Sequence, residues 1–287
     1  MATETATTLR PPVPSPVRPG QKDPLFVRCL LIGAAMTVIT LLILVPVIQV
    51  FTEAFSRGVP NYLSNVLGDR ETLHAIGMTL VVAGWAVLAN VIFGLAASWA
   101  IAHFHFRGRT LLLSLIDLPF TVSPVVAGLA LVLLFGAHGY FGPWLIDHGV
   151  HILFAMPGLI LATSFVTFPF IARELIPLME SLGPDEELAA VSLGASGWQT
   201  FWLVTIPNIR WGLLYGVILC TARAVGEFGA VNVITGRIAG QTDTLPLRVE
   251  RLFQDSNMSG SFAVASVLTL LAVVSLVIKT YIERKKL

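Results

Sequence analysis

Apolar positions along the chain fall into six long stretches, and polar residues are concentrated in the short segments between them. A helix of about 20 predominantly apolar residues is long enough to cross the hydrocarbon core of a membrane. The pattern therefore predicts an all-α, polytopic membrane protein with a single membrane domain at residues 26–287. Its six predicted transmembrane helices are Arg28–Phe51, Ala75–His103, Leu111–Gly136, Ile152–Ala172, Ile209–Ile234 and Phe262–Tyr281.

The composition supports a membrane location. Hydrophobic residues make up 55% of the 287 residues and charged residues 12%, and the mean hydropathy is +0.80, so the chain departs from soluble averages in both directions. Residues 1–25 form a polar, Pro-rich segment, for which we predict a disordered tail. A cleaved signal is not expected, because the first apolar stretch is too long for one.

Lys and Arg residues indicate the orientation of the predicted helices, since cationic loops remain in the cytoplasm. An arrangement with a cytoplasmic N-terminus places 12 of these residues inside and 5 outside. With six crossings the C-terminus returns to the same side, where the cluster Arg284-Lys285-Lys286 is found. We therefore predict that both termini are cytoplasmic.

Several functions are excluded by what the chain lacks. Its net charge is +1 with basic residues scattered at helix ends, so no nucleic acid is expected as a partner. Cys29, Cys220, His148 and His151 lack the further ligands that a metal site needs. The chain contains no Gly-x-x-x-x-Gly-Lys-Ser/Thr run, HExxH or GxSxG, so we expect no ATP site, catalytic site, cofactor or metal.

The polar segment at about 174–208 has the pattern of short helices between two membrane helices. Gly183 and Pro184 are typical of a helix end and a new start, and the acids that follow suit a helix N-terminus. The small side chains of Ala189 and Ala190 allow another surface to approach the backbone of that helix closely. Gly194 is predicted to end it, and a second helix is predicted to begin at the capping box of Ser196 and Gln199.

This segment resembles the EAA loop of binding-protein-dependent ABC-transporter permeases, the element that couples the membrane helices to an ATPase. The family pattern is a Glu-Ala-Ala stretch, a Gly, and a distant hydrophobic-x-hydrophobic-Pro. The chain departs from it at the acid, since Leu188 occupies the strict Glu position. The residues that the resemblance implies for ATPase coupling are Glu187, Ala189, Ala190, Gly194, Ala195 and Pro207.

Further stretches resemble the sulfate/thiosulfate import system. They are Gly194–Gln199, Pro207–Trp211 and Ala222–Val231, and Thr244–Glu250 is similar to its W-type permease subunit. The resemblance implies a type I (MetI-like) importer permease in a bacterial inner membrane, surrounded by lipid. It also implies three kinds of partner: a second, related permease, a pair of ATPase subunits that hydrolyse ATP, and a periplasmic sulfate-binding protein.

Charged residues inside the fifth predicted helix have two interpretations. Arg223 and Glu227 are four residues apart, which allows them to pair on one helical face. The pair can simply pin the helix, or Arg223, Gly226, Glu227 and Gly229 can line an anion pathway. For Asp117 in the third predicted helix we expect a helix cap or a hydrogen bond between helices, because an anion path would avoid a bare carboxylate.

Two other functions remain open at this point. A Gly-Glu-Phe-Gly stretch like Gly226–Gly229 also occurs in permeases for molybdate or tungstate, although Thr244–Glu250 favours sulfate. A proton-coupled secondary anion transporter is the alternative from a different class, with Glu227 as the proton carrier. Six membrane helices without an inverted second half make this alternative less natural.

Overall fold

The computed structural model describes residues 24–236, 240 and 242–284, with side chains up to residue 282, and the described residues contain helices and no strand. Most of the predicted tail, residues 1–23, lies outside the described residues. In chain order the helices are α1 (Leu25–Ala54), α2 (Val59–Leu63), α3 (Arg70–His103), α4 (Arg109–Thr121), α5 (Pro124–Phe135), α6 (Gly142–Asp147), α7 (Met156–Leu182), α8 (Asp185–Ser192), α9 (Gly197–Val225), α10 (Gly229–Ile234), α11 (Leu245–Gln254) and α12 (Met258–Arg284).

Five of these helices are long and apolar enough to cross a membrane: α1, α3, α7, α9 and α12. Helices α4 and α5 form a bent pair, which gives up to six membrane spans if the pair counts as one span. The prediction of an all-α membrane protein is confirmed. Helix α7 continues ten residues beyond its predicted end at Ala172, to Leu182. The first part of the predicted loop at 174–208 is therefore the end of this long helix.

The third predicted membrane helix, Leu111–Gly136, is wrong as a continuous element. The chain bends by 113° between α4 and α5. Val122 has an extended backbone there, and Pro124 lies in the first turn of α5. A residue followed by proline is disfavoured in the helical region, and proline itself suits a helix start, so the Ser123-Pro124 sequence breaks the helix while the side chains remain apolar.

The fifth predicted membrane helix, Ile209–Ile234, is wrong at both ends. It begins at Gly197, so the second short helix predicted in the loop is the first part of α9. It stops at Val225, with Gly226 at its C-terminal end, and the chain restarts as α10 at Gly229. Two glycines close together lower the cost of leaving the helix.

Helix α7 lies at the centre of the packing and contacts α3, α9 and α4. Small residues allow this close approach: Cβ atoms added to Gly94 of α3 and Gly216 of α9 would lie 3.0 Å and 3.3 Å from atoms of Ile171. Buried Asn90 of α3 donates a hydrogen bond of 2.7 Å to Thr167 of α7. Small residues and polar contacts between helices are what holds membrane bundles together.

The chain divides into two compact units, one ending at Val47 and one beginning at Ile48. In the first unit, the helix carries apolar side chains that are exposed, such as Leu31, Leu42 and Ile43. A helix that is apolar on all sides is typical of a membrane span. The predicted first membrane helix is therefore confirmed, with ends at Leu25 and Ala54.

A cluster of charged residues holds α11 against the start of α3. Asp69 caps α3 by accepting a hydrogen bond from the Glu71 amide, and Arg248 of α11 forms 2.6 Å ion pairs with both Asp69 and Glu71. Burial alone would raise the pKa of Asp69, but hydrogen bonds from Thr72 and Arg248, with the charge of Arg248, lower the pKa overall. The Thr244–Glu250 stretch thus includes a residue that ties two helices together.

Candidate functional sites: a coupling segment and a helix break

The first candidate site is the short helix α8 with the turn that follows it, which we call the coupling segment (residues 183–200). Three acids, Asp185, Glu186 and Glu187, lie in the first turn of α8, where the helix dipole favours them. Gly194 follows the helix with φ +92°, a left-handed conformation that side-chain-bearing residues rarely adopt. The predicted helix end at Gly194 is confirmed.

The capping box predicted at the next helix is also confirmed. The Ser196 hydroxyl accepts from the Gln199 amide, and the Gln199 side chain accepts from the Ser196 amide at 2.8 Å. Helix α9 then passes through a π-turn at Phe201–Thr205 before Pro207. Ala189, Gly194 and Pro207 are exposed, and Ala190 and Ala195 are half-buried.

Glu187 points towards the ends of two long helices. Its Oε2 lies 2.8 Å from Nε2 of His103, the last residue of α3. Its Oε1 accepts a hydrogen bond of 2.6 Å from the hydroxyl of Thr205 in α9. The sequence provides no direct sign of these partners, although His103 ends the second predicted membrane helix and Thr205 precedes the Ile206-Pro207 pair.

The second nitrogen of His103 is also engaged. Its Nδ1 lies 3.2 Å from the carbonyl oxygen of Trp99, one turn earlier in α3. The imidazole ring is therefore held at both of its nitrogens.

Much of the surface of the coupling segment is apolar and exposed. Leu193 is 89% exposed and Trp198 is 71% exposed. Exposed aromatic and aliphatic side chains are characteristic of a surface that another molecule covers. The large apolar side chains exposed in this segment are Leu188, Val191, Leu193 and Trp198, and Trp202 is exposed just beyond it.

The second candidate site is the helix break at residues 226–228, between α9 and α10. The Glu227 carboxylate is almost completely buried, and its Oε2 pairs with Nη1 of Arg223 at 2.5 Å. Its Oε1 accepts a hydrogen bond of 3.0 Å from the amide of Ala230 in α10. The predicted pair of Arg223 and Glu227 thus forms, but across the end of α9 and not along a continuous helix.

The break in α9 packs against the break between α4 and α5. A Cβ added to Gly128 of α5 would lie 2.9 Å from the carbonyl oxygen of Ala230 and 2.9 Å from Cβ of Val233. A Cβ at Gly229 would lie 3.0 Å from Cβ of Pro124. The candidate pathway residues Arg223, half-buried, and Gly226, exposed, therefore lie beside a tightly packed contact of two interrupted helices.

Asp117 forms the contact between helices that the sequence predicted. Its Oδ1 accepts a hydrogen bond of 2.7 Å from Nε of Arg173 in α7. The guanidinium also lies over the ring of Phe120, 5.2 Å from its centroid. The carboxylate is partly exposed and not buried as expected for an acid within a membrane helix, and its charge is balanced by Arg173.

Comparison with protein families finds one match over most of the chain. Residues 90–287 match the family described as binding-protein-dependent transport system inner membrane component. That range includes both candidate sites.

Two curated relatives illustrate the similarity. The chain is 51% identical over 253 residues to the sulfate transport system permease protein CysW of Escherichia coli K12, covering 88% of this chain and 87% of that protein. It is 35% identical over 237 residues to the sulfate transport system permease protein CysT of the same organism, covering 83% and 85%.

A solved structure shares the fold. The chain superposes with a TM-score of 0.74 on a subunit of a bacterial alginate ABC transporter, crystallised with its alginate pentasaccharide-bound periplasmic protein. The two chains are 18% identical, and the match covers 90% of this chain and 92% of the other. At this identity the similarity concerns the fold alone.

Proposed function

Because the chain belongs to the family of inner-membrane components of binding-protein-dependent transport systems, we propose that it is the W-type permease subunit of an ATP-driven sulfate and thiosulfate importer. It crosses a bacterial inner membrane several times, with both termini in the cytoplasm. It forms part of the anion pathway and performs no catalysis itself. ATP hydrolysis takes place on partner subunits.

The observation that carries this proposal is the 51% identity to a sulfate permease over nearly the whole of both chains. The related T-type permease, at 35% identity, supports a related second permease as the partner in a heterodimer. The solved structure that shares the fold was determined with a periplasmic binding protein, which supports delivery of the anion by a sulfate-binding protein.

The coupling segment is the proposed contact with the ATPase pair. Its apolar outer surface suits a hydrophobic groove on a partner, in the manner of a helix laid into a cleft. The small side chains of Ala189, Ala190 and Ala195 allow a partner to approach the backbone closely. Gly194 and Pro207 set the direction of the chain before and after this surface. Movement of the ATPases would then displace α8 relative to the long helices.

The helix break is the proposed part of the anion pathway. Arg223 is cationic and 34% exposed, although one nitrogen pairs with Glu227. A half-neutralised arginine offers an oxyanion weak attraction, which suits a pathway because tight binding would prevent release. Gly226 and Gly229 have no side chains to cover their backbone groups near Arg223. Glu227 is less suited to carry protons, since both of its oxygens are already engaged.

Reconstitution tests this proposal. The chain, the second permease and the ATPases are placed in proteoliposomes with binding protein outside and ATP inside, and uptake of radiolabelled sulfate is measured. Uptake should depend on both ATP and binding protein, and thiosulfate should compete with sulfate.

Two results would contradict it. Competition by molybdate or tungstate, with no effect of thiosulfate, would indicate that the chain transports those oxyanions. Uptake by this chain alone, driven by a proton gradient, would indicate a secondary transporter.

A further inference from the structure

The Glu187 carboxylate, one of three in α8, is engaged within this chain. Both of its oxygens are bonded to residues of other helices, and its side chain is 20% exposed. Its neighbours Leu188 and Val191 are 61% and 54% exposed. These apolar side chains are therefore more available to a partner than the Glu187 carboxylate is.

We infer that Glu187 is an internal brace, which locks the coupling segment to the ends of α3 and α9 through the positioning residues His103 and Thr205. This inference rests on the proposed function and deepens it. One carboxylate bridges three elements, since His103 ends α3, Glu187 lies in α8, and Thr205 lies in α9. A displacement of α8 is then transmitted to both long helices together.

The brace is built from strong contacts. A hydrogen bond to a charged group such as a carboxylate is worth about 1.5–3 kcal/mol, more than a bond between neutral groups. Trp99 supports the histidine, because its ring centroid lies 5.4 Å from that of His103 and its carbonyl oxygen holds Nδ1. The same Trp99 contacts Phe201 of α9 edge to face, so the ends of α3 and α9 are also joined by aromatic packing.

The end of α3 is held at several points. Nε2 of His103 lies 2.8 Å from Oε2 of Glu187, and Nδ1 lies 3.2 Å from the Trp99 carbonyl oxygen. Nearby, Arg109 of α4 bonds the Ile101 carbonyl of α3 and pairs with Glu180 of α7. The end of α3 is therefore joined to α4 as well as to α8.

The test is the number of sulfate ions imported per ATP hydrolysed in the reconstituted importer, measured for His103→Gln, Glu187→Gln and the double variant. Each single variant should lower this ratio by about tenfold, as expected from one lost charge-assisted bond. The double variant should lower the ratio no further than either single variant does, because all three variants remove the same bond between His103 and Glu187.

Glu180→Gln is the matched control, since it removes an ion pair to Arg109 between α4 and α7 without touching α8. It should leave the ratio unchanged. Thr205→Val, which keeps the side-chain volume, tests the brace if the histidine variants do not assemble. It should lower the ratio by severalfold, consistent with one hydrogen bond to a carboxylate.

The inference is overturned if His103→Gln and Glu187→Gln reduce the amount of assembled complex but leave its ratio unchanged, or if their effects multiply in the double variant. Failure of the proposed function would be visible separately. If the wild-type complex hydrolyses ATP but imports no sulfate, the cargo assignment is wrong. The brace is then judged by how tightly each variant retains the ATPase subunits.

Discussion

Glu187 in the coupling segment and Glu227 at the helix break each bind one basic side chain and one further donor, but their partners lie at different distances along the chain. Glu227 binds Arg223 and the Ala230 amide, both within four residues. Glu187 binds His103 and Thr205 on two other helices. A carboxylate bonded to residues close in sequence shapes the chain where it bends. A carboxylate bonded to residues distant in sequence joins separate helices. We therefore expect Glu227 to matter for stability and Glu187 for coupling.

The largest effect on this comparison is expected from Glu227→Leu. Its loss leaves Arg223 without its partner in a partly buried site and the Ala230 amide without its acceptor, at a cost of about 3 kcal/mol. Thermal unfolding of the purified chain in detergent should show a large drop. Glu227→Gln should lose less, since its amide oxygen can still accept from Ala230. Glu187→Leu should lose less, about 1.5 kcal/mol, because its side chain is 20% exposed and water can replace part of the lost bonding. Equal losses at the two positions would remove the distinction.

The packing at the break can be tested independently of charge with Gly128→Leu. The new side chain would meet the Ala230 carbonyl and Val233 at 2.9 Å, and overpacking of this kind costs about 1–3 kcal/mol. Gly84→Leu, in α3, is the control, because a Cβ there meets nothing within 4 Å. The same unfolding measurement should separate the two, and equal stability would mean that the interrupted helices are not closely packed.

At the coupling segment, Gly194→Val should uncouple transport with a smaller loss of stability. Its left-handed φ of +92° strains any residue with a side chain, by about 1–2 kcal/mol, and a β-branched residue would displace the outer surface. Sulfate imported per ATP should fall while the spans remain folded. Gly197→Ala is the control, since Gly197 begins α9 with open space around it. An unchanged uptake rate in Gly194→Val would argue against the docking role.

The smallest effect is expected at Asp69, at the start of α3. Its carboxylate has a structural role and lies outside both candidate sites. Its pKa is lower in the folded chain than in the unfolded one, so the ionised form stabilises the fold above about pH 4, and this contribution is lost as the pH falls through the folded pKa. Asp69→Asn should lose about 1 kcal/mol at neutral pH and progressively less as the pH falls below about 4. Unfolding temperatures measured over a series of decreasing pH values test this, and a constant difference would contradict it.

The elements that the sequence predicted correctly depend on neighbouring residues. The capping box at Ser196 and the helix end at Gly194 follow from a few consecutive side chains. The long helices follow from hydropathy, which is why α1, α3 and α12 lie close to their predicted positions.

The errors arose where hydropathy and backbone geometry disagree. Val122 and Phe228 are apolar, so the third and fifth predicted helices continue through them in any hydropathy profile. The interruption follows from Pro124 in one case and from glycines in the other. The contact of His103 with Glu187 could not be predicted, because it requires knowing that the ends of α3 and α8 meet.

Helix α9 runs without interruption for 29 residues from Gly197 to Val225, and so places the coupling segment and the arginine of the break on one element. Inserting or deleting a single residue within it would turn Arg223 by about 100° relative to Thr205 and move it by about 1.5 Å. The length of this stretch should therefore be fixed among working relatives.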